Sequence, residues 1–208
     1  MIRNLKLGLI LGVITAVAAV FLGVANQVTE DAIAANSKLN KDDLAIIMPL
    51  ATTVEESDQT LEGNILEILE GKNATEVVGY LFKVTTKGFH GALDLMIGVS
   101  NEGKLTGIKV MKHSETPGLG SKIAEEKFTS RFSDVPIDNG ISITKIAPTK
   151  ENEVEGVTGA TISSKAVGKA VNEAINYYRV KIKGEAPIVD EDTDGTSGAT
   201  DATSAATE

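Results

Sequence analysis

Glu155-Gly-Val-Thr-Gly-Ala-Thr161-Ile-Ser-Ser sets two threonine hydroxyls beside a glycine and an alanine, immediately before a long run with helical apolar spacing. Where such a segment enters a helix, the first backbone N–H groups lack partners and carry partial positive charge, so they accept phosphate. Gly159 and Ala160 would let a ligand come close. The same residues also have an ordinary structural use, with Thr158 as an N-cap and Thr161 as a hydroxyl of the first turn. Two other stretches stand out. In His113-Ser-Glu-Thr-Pro-Gly-Leu-Gly120 the Pro117-Gly118 pair makes a turn that opens into a helix from Ser121, which is also how a plain strand-to-helix connection reads. Gly88-Phe89-His90-Gly91 reads as a bulge or turn carrying a core phenylalanine.

The residues that are missing narrow the chemistry. The 208-residue chain has no cysteine, which removes disulfides, thiolate metal sites, iron–sulfur ligation and a catalytic thiol. Any redox role then needs a bound organic cofactor. His90 and His113 are the only histidines and lie far apart in sequence, so no histidine-rich metal site is expected, although carboxylates remain able to bind Ca²⁺ or Mg²⁺. A net charge of −9 and only 4% aromatic residues argue against a nucleic-acid partner, because phosphate backbones are repelled and few rings are present to stack bases.

The elements that must position these motifs follow from periodicity. Leu39 to Pro49 reads as a short helix with Asn40 as cap candidate and Leu44, Ile47 and Met48 as its apolar side. Ile65–Glu70, Val77–Thr85 and Leu93–Val99 carry strand signals. A turn at Asn101-Glu102-Gly103 joins Leu93–Ser100 to Leu105–Met111 in an antiparallel meander. Ser121–Phe132 has helical spacing, and Ile141–Ile146 alternates as a half-buried strand. From about Thr161 to Lys181, Ala166, Val167, Ala170, Val171, Ala174, Ile175 and Tyr178 form one stripe. The expected fold class is α+β, a twisted antiparallel sheet packed by helices.

Both ends differ from this middle. Leu7 to Ala25 is uncharged and long enough, at about 1.5 Å per residue, to cross a hydrocarbon core of roughly 30 Å as a helix. Arg3 and Lys6 precede it and Glu30 and Asp31 follow it, so the N-terminus is expected in the cytoplasm and the rest outside. A cleavable signal peptide is the competing reading, with Gly23 and Ala25 small enough for a cleavage site; the apolar run exceeds the roughly 7 to 15 residues of a signal core. From Glu185 the chain is polar, with seven acidic residues, and is expected to be disordered. The expected organisation is a cytoplasmic N-terminus over 1–6, a transmembrane helix over 7–28, an extracytoplasmic domain over 29–184 and an acidic tail over 185–208.

Thr158-Gly-Ala-Thr161 resembles the flavinylation motif of the FMN-binding domain found in the G subunit of the Rnf electron-transport complex and in the C subunit of the sodium-pumping NADH:quinone reductase. The resemblance implies that Thr161 is joined to the phosphate of FMN as a phosphoester by a flavin transferase that uses FAD, with Thr158, Gly159 and Ala160 completing the motif. The family pattern has Asp where this chain has Glu155. His113–Gly120 resembles the family's loop beside the flavin, which implies that Glu115, Thr116, Leu119 and Gly120 line the isoalloxazine ring. Gly88-Phe89-His90-Gly91 resembles its Gly-aromatic-x-Gly element, which puts Phe89 on the flavin side. The order of the three motifs and the compact chain are most similar to the Rnf G subunit. The function implied is a membrane-anchored electron carrier, a non-autonomous subunit of an ion-translocating ferredoxin:NAD⁺ oxidoreductase that has the other membrane subunits as partners. The alternatives are a quinone-reductase C-type subunit, an independent extracytoplasmic flavin carrier, and a flavin-free anchored interaction module.

Overall fold

The computed structural model of the chain describes residues 2–36 and 39–188. The polypeptide divides into two units, Met1–Lys41 and Asp42–Glu208. The expected acidic tail lies, from residue 189 onward, outside the described residues.

In the first unit, one helix, α1 (Ile2–Asn36), runs for 35 residues. Leu9, Phe21 and Leu22 are 70%, 74% and 75% exposed, and Thr15 satisfies its hydroxyl internally by donating to the carbonyl of Leu11 at 3.0 Å. The backbone is helical throughout the 7–28 stretch expected from sequence. Among the described residues, no helix is long and apolar enough to cross a membrane; the described side chains of the apolar run are those of residues 8–24.

The second unit starts one residue into α2 (Lys41–Ile47), which is followed by β1 (Thr53–Glu56), β2 (Ile65–Asn73), β3 (Glu76–Lys87), β4 (Ala92–Ser100) and β5 (Leu105–Lys112). The five strands form one sheet in chain order, each pair antiparallel. The meander expected from sequence is therefore present, extended at its edge by β1, whose Thr-Val-Glu-Glu carries too little apolar signal to be read as a strand. Gly103, with φ of 77°, makes the β4–β5 turn in a conformation that glycine adopts without steric cost.

One face of the sheet packs against α4 (Thr161–Tyr177). Phe82, Val84, Leu95, Ile97 and Val99 share a buried core with Val167, Ala170, Val171 and Ala174, and the ring of Phe82 lies 5.8 Å from that of Tyr177. Every apolar stripe position expected on this helix is buried. Each large side chain so buried contributes about 1.5–3 kcal/mol of transfer free energy.

The opposite face is built differently. Gly71, Gly79, Gly98 and Gly107 occur in successive strands, and Met48, Ile47 and Ile46 of the α2 segment come down on them. A Cβ on Gly107 would stand 2.6 Å from the carbonyl oxygen of Ile46, and one on Gly98 would stand 2.6 Å from that of Ile47. The glycines admit a second backbone onto the sheet. Lys109 of β5 pairs with the buried Asp43 of α2, and Thr106 donates its hydroxyl proton to the Ile47 carbonyl.

Two local expectations are corrected. Ser121–Phe132 is not one helix: a 3₁₀ turn over Gly120–Ala124, α3 (Glu126–Thr129) and a second 3₁₀ turn over Ser130–Phe132 replace it. Glu125, at φ −75° and ψ 144°, interrupts the ladder, and Ile123, Phe128 and Phe132 still reach the core. Ile141–Ile146 supplies only β6 (Ser142–Thr144), which pairs in parallel with β7 (Glu153–Glu155). Parallel partners cannot be joined by a tight turn and so give no local hairpin signature. Beyond Tyr177, α4 widens into π-helical turns over Tyr178–Lys183 and ends at Gly184 with φ of 70°, a left-handed stop.

Candidate functional site

The site is assembled where three loops meet the start of α4. Strand β7 delivers the chain to Glu155; Gly156–Ala160 turns, and α4 begins at Thr161. Gly159 takes φ of 83°, which lets the turn reverse within a few residues. Thr158 is not the N-cap anticipated as one reading of the sequence. Ala160 holds that position and no side chain caps it. Ser164 does the fastening instead, accepting the N–H of Val157 at 2.9 Å and donating to the Ala160 carbonyl at 3.0 Å.

A cavity of about 290 Å³ opens at this helix start, lined by Phe89, Glu115, Thr116, Leu119, Gly120, Gly159, Ala160, Thr161, Ile162 and Ser163. Eight of the nine residues singled out from sequence are among these. The ninth, Thr158, is exposed and faces a separate cavity of about 260 Å³ with Lys122, Lys127 and Arg131. Ile162 and Ser163 carry no motif signal of their own. They were findable only as the residues after Thr161 in the first helical turn.

The walls have distinct characters. Phe89, Leu119 and Ile162 are 60%, 50% and 56% exposed, so Phe89 is not the core ring that the turn reading suggested, and the three give the mouth an apolar rim. Gly120, Gly159 and Ala160 are small. Thr161 is half-buried.

Glu115 is buried, and its carboxylate accepts N–H of Phe89 at 2.8 Å, N–H of His90 at 3.3 Å and the Ser163 hydroxyl at 2.8 Å. Burial works to raise its pKa; the hydrogen bonds from Ser163, Phe89 and His90, with the charge of His90, outweigh burial and hold the carboxyl below its ordinary value. Both histidines, distant in sequence, meet this segment: His113 Nδ1 accepts the Glu115 N–H at 3.3 Å, and His90 Nδ1 lies 3.2 Å from Thr116 Oγ1. Glu155 lies on the other side of the turn, where Arg131 donates to its carbonyl and approaches its carboxylate at 3.5 Å.

Chemically, the arrangement offers a hydroxyl at an uncapped helix start, an apolar-rimmed cleft and small backbone walls. These features fit a phosphate joined to a flat, largely apolar ring system. The acceptor-only carboxylate of Glu115 is already committed to protein donors.

Comparison with known proteins agrees with this geometry. Residues 88–176 match the family described as FMN-binding domain. The G subunit of the Na⁺-translocating ferredoxin:NAD⁺ oxidoreductase complex of Acetobacterium woodii is 37% identical over 190 residues, covering 84% of this chain and 91% of that protein. The G subunit of the ion-translocating oxidoreductase complex of Methanosarcina acetivorans is 34% identical over 172 residues, covering 79% and 89%. Among solved structures, the C subunit of the Na⁺-translocating NADH-quinone reductase from Parabacteroides distasonis is similar over 54% of this chain and 60% of that one, with a TM-score of 0.48 and 23% identity.

Proposed function

The chain belongs to the G-subunit family of ion-translocating oxidoreductase complexes, and from that membership we infer a flavin electron-transfer subunit that carries FMN covalently on Thr161. The observation that carries the site assignment is the cavity at the start of α4, where Thr161 stands among Phe89, Glu115, Thr116, Leu119 and Gly120. FMN, when bound, supplies reversible one- and two-electron chemistry, and the protein supplies position and environment.

Thr161 would hold the phosphate as an ester. The uncapped first turn of α4 would offset its charge with backbone N–H groups and the positive end of the helix dipole. Gly159, Ala160 and Gly120 leave room beside it. Phe89, Leu119 and Ile162 would shield the ring system from water, and Thr116 offers a hydroxyl at the wall. In maturation the Thr161 hydroxyl would give up its proton and take the FMN phosphate from FAD, the Oγ–P bond forming as the pyrophosphate breaks and AMP leaves.

As part of a ferredoxin:NAD⁺ oxidoreductase, the domain would take electrons from one partner protein of the complex and return them to another. Membrane anchoring by α1 is supported by the uncharged Leu7–Ala25 run, by the continuous helix through it and by the exposure of its apolar side chains. Residues Arg3 and Lys6 before the run, against Glu30 and Asp31 after it, favour a cytoplasmic N-terminus and an extracytoplasmic flavin domain.

The test is coexpression with a flavin transferase, followed by denaturation, in-gel flavin fluorescence and intact mass. A gain of one FMN less one water in the wild type, absent from Thr161→Ala, is expected. An unmodified wild type beside a control substrate that the same transferase modifies would overturn the covalent assignment.

A further inference from the structure

We propose that Glu115 is a positioning residue: its buried carboxylate clasps the Gly88–Gly91 turn to the first turn of α4, and so sets the shape of the cavity around Thr161 instead of holding a ligand. The inference rests on the flavin reading only for what the cavity contains.

Three protein donors converge on this side chain from two different segments. Oε1 accepts N–H of Phe89 at 2.8 Å and of His90 at 3.3 Å, while Oε2 accepts the Ser163 hydroxyl at 2.8 Å. Glu115 is 5% exposed, and a carboxylate so enclosed stays charged only with such donors. Two glycines lie against its carboxylate. A Cβ on Gly120 would stand 2.6 Å from Oε2, and one on Gly88 would collide with Oε1. The two glycines therefore make the room that the carboxylate occupies.

Two further contacts hold the Glu115 segment in place and tie it again to the Gly88–Gly91 turn. The backbone N–H of Glu115 donates to His113 Nδ1 at 3.3 Å, and Thr116 Oγ1 meets His90 Nδ1 at 3.2 Å. Opening it frees the backbone that carries Phe89, and with it one wall of the cavity. An ionised carboxylate has no proton to offer a phosphate or a ring carbonyl, so its contribution to flavin loading acts through Phe89 and Ser163.

The experiment uses the full-length chain in its membrane-extracted form, before flavin loading. Hydrogen exchange by mass spectrometry compares wild type, Glu115→Ala and Glu115→Gln, and each is then scored for Thr161 flavinylation after coexpression with the transferase. In Glu115→Ala, peptides covering 86–92 should exchange at least about tenfold faster, with β4 and the body of α4 unchanged, and flavin yield should fall. Glu115→Gln keeps an acceptor for the two N–H groups and should recover most of both. Unchanged exchange over 86–92 in Glu115→Ala would overturn the clasp. So would a loss of protection spread evenly over the domain, which would make Glu115 a general fold residue. A wild type left unflavinylated by an active transferase would count against the flavin assignment, and the exchange comparison would still judge the clasp.

Discussion

Ser164 Oγ accepts the backbone N–H of Val157 at 2.9 Å, across the turn that carries Gly159. It simultaneously donates to the Ala160 carbonyl and is fully buried, so one hydroxyl ties both the start and the end of the turn to the beginning of the helix. Ser164→Ala would leave a part-buried N–H without its partner, at about 1–3 kcal/mol. A lower urea midpoint with an unchanged slope, accompanied by reduced flavin yield, is expected. Equal midpoints would show that another group takes up the Val157 N–H.

Gly159 sets the direction of that turn. At φ of 83° a side chain is strained whatever the free space, and a Cβ would stand in ordinary contact with Leu119 at 3.5 Å. Gly159→Ala should cost about 1–2 kcal/mol, Gly159→Asn less and Gly159→Val more. Flavinylation measured by intact mass should follow the same order. A valine variant modified as completely as the wild type would show that the turn does not govern access to Thr161.

The glycine-lined face makes a prediction that leaves the flavin site alone. Gly107→Val would press on the backbone of Ile46 and Ile47 and lift α2 from the sheet, costing about 1–3 kcal/mol as an overpacked contact. Thr161 lies at the start of α4, which packs on the other face. The melting temperature should therefore drop while flavin yield at low temperature stays near wild type. Loss of flavin with stability intact would mean that α2 reaches the site.

Glu115 also predicts a pH dependence with a defined sign. Its folded-state pKa lies below the ordinary 4.5, so its ionisation contributes stability that is complete above that value. The contribution is lost as pH falls through the lower folded value. The titratable groups that meet it are His90, through its backbone N–H and its charge, and His113, through its ring nitrogen. Unfolding free energy followed from pH 6 down to about pH 3 should fall more steeply in the wild type than in Glu115→Gln. Parallel curves would assign the acid sensitivity to other carboxylates.

The elements whose signal is local were readable from the chain. The β2–β5 meander announced itself by alternation and by the Asn101–Gly103 turn, and the α4 stripe by its spacing. The three motifs stood out because glycines, prolines and hydroxyls cluster in them. The order of those motifs was also enough for the family resemblance that the comparisons then showed. The sequence by itself thus determined the types of element and the residue types available for chemistry, since periodicity and turn propensity act over a few residues.

Tertiary structure decided what those residues do to one another. Only folding brings Glu115 within bonding distance of Phe89, His90 and Ser163, from 26, 25 and 48 positions away. It also joins β6 to β7 in parallel and aligns four glycines from four strands under the α2 segment. These pairings depend on loop closure and on which faces bury each other, and no residue carries a local mark of its distant partner. For the same reason Thr158 and Thr161, three positions apart and alike in type, face different cavities, a distinction made by the turn at Gly159.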